Sequence, residues 1–158
     1  MRRRDFIKAA AYSAVVWPIT VRAQQPERVR RVGILTGIGG NDAETKLRIS
    51  AFLEELQRLG WVEGRNVHIE VRGGAGSAAA TRKYAAELVV LKPDVLLGTG
   101  SATVPALLDA TRTIPIVFTI LIDPVGAGYV DDLSRPGGNI TGFMMFEYSL
   151  SGKWVELL

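Results

Sequence analysis

The chain has 158 residues, 47% of them hydrophobic and 22% charged, with 19 Lys and Arg against 16 Asp and Glu for a net charge of +3. It contains no cysteine, which excludes disulfide staples, thiolate metal sites and an acylated lipoprotein terminus. The basic excess invites a nucleic-acid reading, but it is confined to the first 23 residues: the rest holds 14 bases and 15 acids, scattered apart from Arg28, Arg30 and Arg31, so no nucleic-acid partner is expected.

Those first residues read as an export signal. Arg3-Arg4-Asp5-Phe6-Ile7-Lys8 fits the twin-arginine pattern, a weakly apolar stretch runs from Ala9 to Ile19, and Val21-Arg22-Ala23 offers a peptidase short side chains. The apolar run is about half the roughly 20 residues that span a bilayer. Pro18 interrupts it, which argues against a docked amphipathic helix. Cleavage after Ala23, export to the periplasm and a linker over 24–31 are the expectations.

The remainder alternates strands with helices. Val32-Gly33-Ile34-Leu35 is a short apolar run ending at Thr36, and the loop Gly37 to Asn41 follows. Asn41 with Glu44 three positions on resembles a capping box for a helix over 42–59. Its inner face carries Ile49, Phe52, Leu53, Leu56 and Leu59, and Gly60 stops it. Val67 to Val71 alternates as a strand. Residues 78–91 are predicted helical, with Tyr84, Leu88 and Leu91 inward, until Lys92-Pro93 ends the helix. A third strand over 94–97 leads through Gly98-Thr99-Gly100-Ser101 to a short helix over 103–110 that tolerates Pro105 in its first turn. Residues 115–119 form a fourth strand, 126–133 a short helix, and 140–146 a fifth strand after the Ser134 to Gly138 turn. A last helix starts near Ser149. The alternation predicts an α/β fold, a doubly wound parallel sheet of about five strands with helices on both faces.

In such a sheet ligands bind beyond the carboxyl ends of the strands. The loops there offer Thr36 and Gly37 after the first strand, Ser101, Ala102 and Thr103 after the third, and Thr119 and Asp123 after the fourth. Hydroxyls, backbone N–H groups and helix N-termini suit a carboxylate or another polar small molecule. No nucleophile and base stand together, so no catalytic residue, cofactor or metal is expected. The only histidine, His68, sits mid-strand in a structural or surface role, and Asp131-Asp132 reads as solvated surface. The rival is an exported dinucleotide-binding oxidoreductase, because Gly37-Ile38-Gly39 opens a helix. Its third glycine would fall on Asp42, its ribose-binding acid would have to be the distant Glu70, and no Walker A sequence occurs.

The chain also resembles the substrate-binding proteins of ABC transporters with a type I periplasmic-binding fold. The resemblance is carried by Leu59-Gly60-Trp61-Val62-Glu63-Gly64-Arg65-Asn66-Val67, by Thr113-Ile114-Pro115-Ile116-Val117-Phe118, and by Asp123-Pro124-Val125-Gly126 followed by Leu133-Ser134-Arg135-Pro136-Gly137-Gly138-Asn139-Ile140-Thr141-Gly142. It implies a non-enzymatic, two-lobed protein that captures a small solute, such as an amino acid or related metabolite, for an ABC permease in the inner membrane. On that reading residues 32–148 are the first lobe and 149–158 open the helix of the second. A non-functional fragment is the remaining alternative.

Overall fold

The computed structural model describes residues 28–39, 42–146 and 156. The expected export signal and most of the expected linker and last helix lie outside the described residues. Strand β1 (Arg30–Thr36) is followed by α1 (Ala43–Arg58), β2 (Val67–Gly73), α2 (Ala78–Val90), β3 (Val95–Thr99), α3 (Thr103–Ala110), β4 (Ile116–Ile122) and β5 (Ile140–Phe146). β1 starts at Arg30, two residues inside the segment expected to be linker.

Local chemistry explains the boundaries. The cap of α1 is Asp42 and not the expected Asn41: an Asp42 carboxylate oxygen accepts the Thr45 N–H at 3.0 Å. Gly60, at φ +89°, takes the left-handed turn just past the helix end. Ser77 caps α2 by accepting from the Ala80 N–H. Residues 126–133 form turns in place of the expected helix. The Asp123 carboxylate accepts from Gly126 N–H and the Pro124 carbonyl accepts from Tyr129 N–H, so local turn bonds use the groups a helix would need.

All five strands are parallel, in the order β2-β1-β3-β4-β5. The chain turns outward from β1 to the β2 edge and then crosses back to β3, so the order reverses between β1 and β3. Helices cover both faces, as the alternation predicts. Leu35, Leu96, Ile116 and Phe118 face α2 and α3 and are fully buried with Leu88 and Leu107. On the other face α1 sets Phe52 and Leu56 across an open groove from Val32 and Val67. Leu59 and Leu91, expected inside, project into solvent beyond the last helical turns. Burying a Phe or Leu side chain contributes about 2 kcal/mol, so the face of α2 and α3 carries most of the apolar stabilisation.

Candidate functional site

The reversal between β1 and β3 leaves a crevice at their carboxyl ends, the place where open parallel sheets hold ligands. A cavity of about 250 Å³ opens there. Its polar wall is Thr36, Thr45, Thr99 and Arg48; Ile38, Ile49 and Ile120 supply the apolar wall.

Each wall has a local cause. Thr36 ends β1 buried, and its hydroxyl donates to the Ile38 carbonyl at 2.7 Å, which shapes the loop after the strand. Gly37 N–H donates to the Thr99 carbonyl at 3.2 Å, and Gly100 N–H to the Thr119 carbonyl at 3.0 Å, so the ends of β1, β3 and β4 are tied side by side. Arg48 lies one turn past Glu44 on α1 and pairs with it, its side chain still about half exposed. Ile120 reaches the cavity because β4 bulges between Thr119 and Leu121, with Ile120 held at φ +57°. Asp123, at φ +44°, adds a second strained backbone residue at the same end of the strand.

Of the residues expected to bind ligand, Thr36 and Gly37 line this cavity. Ser101, Ala102, Thr103, Thr119 and Asp123 lie outside its lining, although all five stand at the same edge of the sheet. The reasons are geometric. The Thr103 hydroxyl is buried and donates to the Gly100 carbonyl at 2.8 Å, closing the turn into α3. The Asp123 carboxylate folds back on Gly126 N–H at 3.0 Å. Thr119 lies within β4, which runs three residues further than its apolar sequence suggests. Ser101 and Ala102 are exposed in the turn before α3, which begins without a side-chain cap. Thr45, Arg48, Ile49 and Thr99 were missed as candidates. The one available signal was the polar stripe Thr45 and Arg48 at i, i+3 on the turn of α1 nearest the loop.

The electrostatics suit an anion poorly at one point and well at another. The hydrogen bonds from Thr45, side chain first and then backbone, hold the Asp42 carboxyl below its ordinary value, so a negative charge stands at the start of α1. A pyrophosphate arriving at that helix would meet a carboxylate where a dinucleotide fingerprint has its third glycine, which disfavours the oxidoreductase reading. Arg48, one turn in, is the cation among the residues lining the cavity, its guanidinium paired with Glu44. No group of three or more His, Asp or Glu residues able to hold a metal occurs among the described residues.

A larger groove of about 490 Å³ lies beside α1, lined by Phe52, Leu56, Trp61, Val32, Leu97 and Val117. It runs over the sheet face away from the carboxyl edge, and the charged residues that also line it, Arg30, Arg31 and Asp94, are already paired with one another or with the Leu91 carbonyl.

Residues 31–158 match the family described as ABC transporter substrate binding protein. A tyrosine-binding protein of Clostridioides difficile strain R20291 is 33% identical over 107 residues, which are 68% of this chain and 30% of that protein. Among solved structures, a conserved domain protein from Vibrio cholerae superposes with a TM-score of 0.71 at 33% identity, over 82% of this chain and 43% of that one. The ligand-free, open form of a substrate binding protein with adhesive properties from Clostridium difficile gives 0.69 at 25% identity, with the same coverage. A Streptococcus pneumoniae ABC domain in complex with L-Trp gives 0.66 at 25% identity, over 73% of this chain and 38% of that one. The chain spans less than half the length of each of these relatives. With an all-parallel sheet of matching fold, a crevice at its order reversal and a family match over most of its length, the chain belongs to the ABC transporter substrate-binding proteins.

Proposed function

We propose that this chain supplies one wall of the solute site of a binding protein that delivers an amino acid with a large apolar side chain to an ABC permease. The observation that carries the reading is the mixed lining of the crevice: three threonines and Arg48 beside three isoleucines. An α-amino acid has that same division, a carboxylate for the guanidinium and hydroxyls and a side chain for the aliphatic wall. The tyrosine-binding protein and the L-Trp complex among the relatives support an aromatic side chain. A cavity of about 250 Å³ falls short of the ~300 Å³ at which small-molecule pockets begin, as suits one wall of a clamp whose second wall closes over the ligand.

The reading assigns no chemistry to the protein. The solute is held by hydroxyls, backbone and one cation, and released unchanged. Ser101, Ala102, Thr103, Thr119 and Asp123 are proposed to meet the solute on closure, since they stand at the same edge outside the open cavity. Residues 1–23 are proposed to direct export, with cleavage after Ala23 and action in the periplasm.

Calorimetric titration of the chain with L-Tyr and L-Trp, and with NAD as the comparison, tests the proposal. Saturable binding of an aromatic amino acid, weakened about tenfold by Arg48→Ala, is expected for the loss of one charge-assisted hydrogen-bonded contact. Tight binding of the dinucleotide, or amino-acid binding indifferent to Arg48, would overturn it.

A further inference from the structure

The end of the sheet opposite the crevice has its own chemistry. β1 enters the domain there, and the α1–β2 and α2–β3 turns converge on it. Arg28 and Arg30 both reach one carboxylate oxygen of Asp94, at 3.2 and 3.1 Å. Arg31 donates to the Leu91 carbonyl at 3.1 Å, and Arg65 to the Gly60 carbonyl at 3.3 Å. Arg58 ends α1 and Lys92 follows α2. The carboxylates in contact with cations here are Asp94, Glu55 paired with Arg58, and Glu63 against His68, and Glu54 and Glu87 stand within the last five residues of α1 and α2.

Large apolar side chains stand in solvent between the cations. Leu59 is 69% exposed, Val90 76% and Trp61 40%. An open cavity of about 400 Å³ puts Arg28, Arg30, Leu59, Trp61 and Asn66 on one surface. Solvent exposure of Leu and Val beside guanidinium groups is unfavourable in water and gains on a surface that is anionic outside and hydrocarbon a few ångströms in. Guanidiniums take phosphates bidentately, an indole sits at the headgroup level, and short aliphatic chains reach just below.

The crevice lies at the far end of the sheet, so a bilayer at this end leaves it open to solute. We propose that the amino end of the sheet is a peripheral membrane surface, seating Trp61 and Leu59 among anionic phospholipid headgroups with Arg28, Arg30 and Arg65 on the phosphates.

The test uses the full chain carrying Trp17→Phe and Trp154→Phe, which leaves Trp61 as the single indole reporter. It is mixed with vesicles of phosphatidylcholine alone or of equimolar phosphatidylcholine and phosphatidylglycerol. On the anionic vesicles Trp61 emission is expected to shift to the blue, to be quenched by brominated acyl chains, and to recover at high salt. Arg28→Gln with Arg30→Gln should weaken this Trp61 response about twenty-five-fold, at about fivefold per arginine near an anionic surface. Arg82→Gln with Lys83→Gln, the same charge loss on the exposed side of α2, should leave it within about twofold. Arg65→Gln, whose guanidinium bonds a carbonyl, should weaken it about fivefold and serves if the double variant does not fold. An unquenched Trp61 on bound protein, an equal response on phosphatidylcholine alone, or equal weakening by the two double variants would overturn the proposal.

Discussion

The two faces of the sheet differ more than its two edges do. On the face of α2 and α3, Leu35, Leu96, Ile116 and Phe118 are fully buried. On the face of α1, Val95, Leu97 and Val117 are only half-buried, and Phe143 on β5 is 75% exposed. The strand sequences are no less apolar on the α1 side, where β2 puts Val67, Ile69 and Val71 while His68, Glu70 and Arg72 take the other face. The difference is that two helices cover one face, whereas among the described residues α1 covers only the β1 and β2 side of the other. Apolar content in a strand therefore says that a face can be buried, and the number of crossovers on that face decides how much of it is.

Substitution of alternate residues along β4 is the sharpest way to break this comparison. Phe118→Ala should cost about 4 kcal/mol in urea unfolding, the usual loss for a fully buried phenyl group. Val117→Ala, one residue earlier on the half-covered face, should cost under ~1 kcal/mol. Equal costs would mean that the open face is covered in solution.

The seam between β4 and β5 gives the next effect. Gly142 sits so close to Phe118 that a Cβ there would strike the Phe118 carbonyl and amide. Gly142→Ala should therefore open the last strand pair at a cost of about 2 kcal/mol, read as faster amide exchange in β5 relative to β1. A variant as protected as the parent would show that the strands have room to shift.

The ends of the sheet offer a pH test. The Arg31 N–H, at 2.8 Å, is the main cause holding the Asp94 carboxyl below its ordinary value, with Arg30 and Arg28 adding to it. A depressed folded-state pKa means stability that is present above the unfolded value of about 3.9 and is lost as pH falls through the lower folded value. Acid denaturation below about pH 4 should thus be shallower in Asp94→Asn, which should also lose on the order of 1 kcal/mol at neutral pH. An unchanged acid limb would remove Asp94 from the linkage. The smallest effect is expected at the open edge. Phe143→Ser should change stability by less than ~0.5 kcal/mol while reducing self-association in sedimentation, since it removes an apolar side chain from an exposed edge strand.

What the sequence foretold follows from range. The strand and helix alternation, the β5 run and the end of α1 at Gly60 rest on contacts within a few residues, and they appear where expected. The start of α1 shifted by one residue because Asn41 and Asp42 are both capping types and only the path of the loop chooses between them. The helix expected over 126–133 is absent because Asp123 and Pro124 commit the local hydrogen bonds to turns. At the crevice, Thr36 and Gly37 were legible because a strand end names its own next residues. Arg48 and Thr45 were not, because their approach to β1 depends on how α1 docks.

By itself the sequence determined which segments are strands and which are helices, and that the sheet must be parallel, because periodicity, caps and connection lengths are local properties of the chain. The tertiary structure decided the strand order, the site of its reversal between β1 and β3, the bulge that carries Ile120 into the cavity and the face left half-covered. Those depend on which apolar surfaces find each other across tens of residues, and no short stretch of chain encodes that choice.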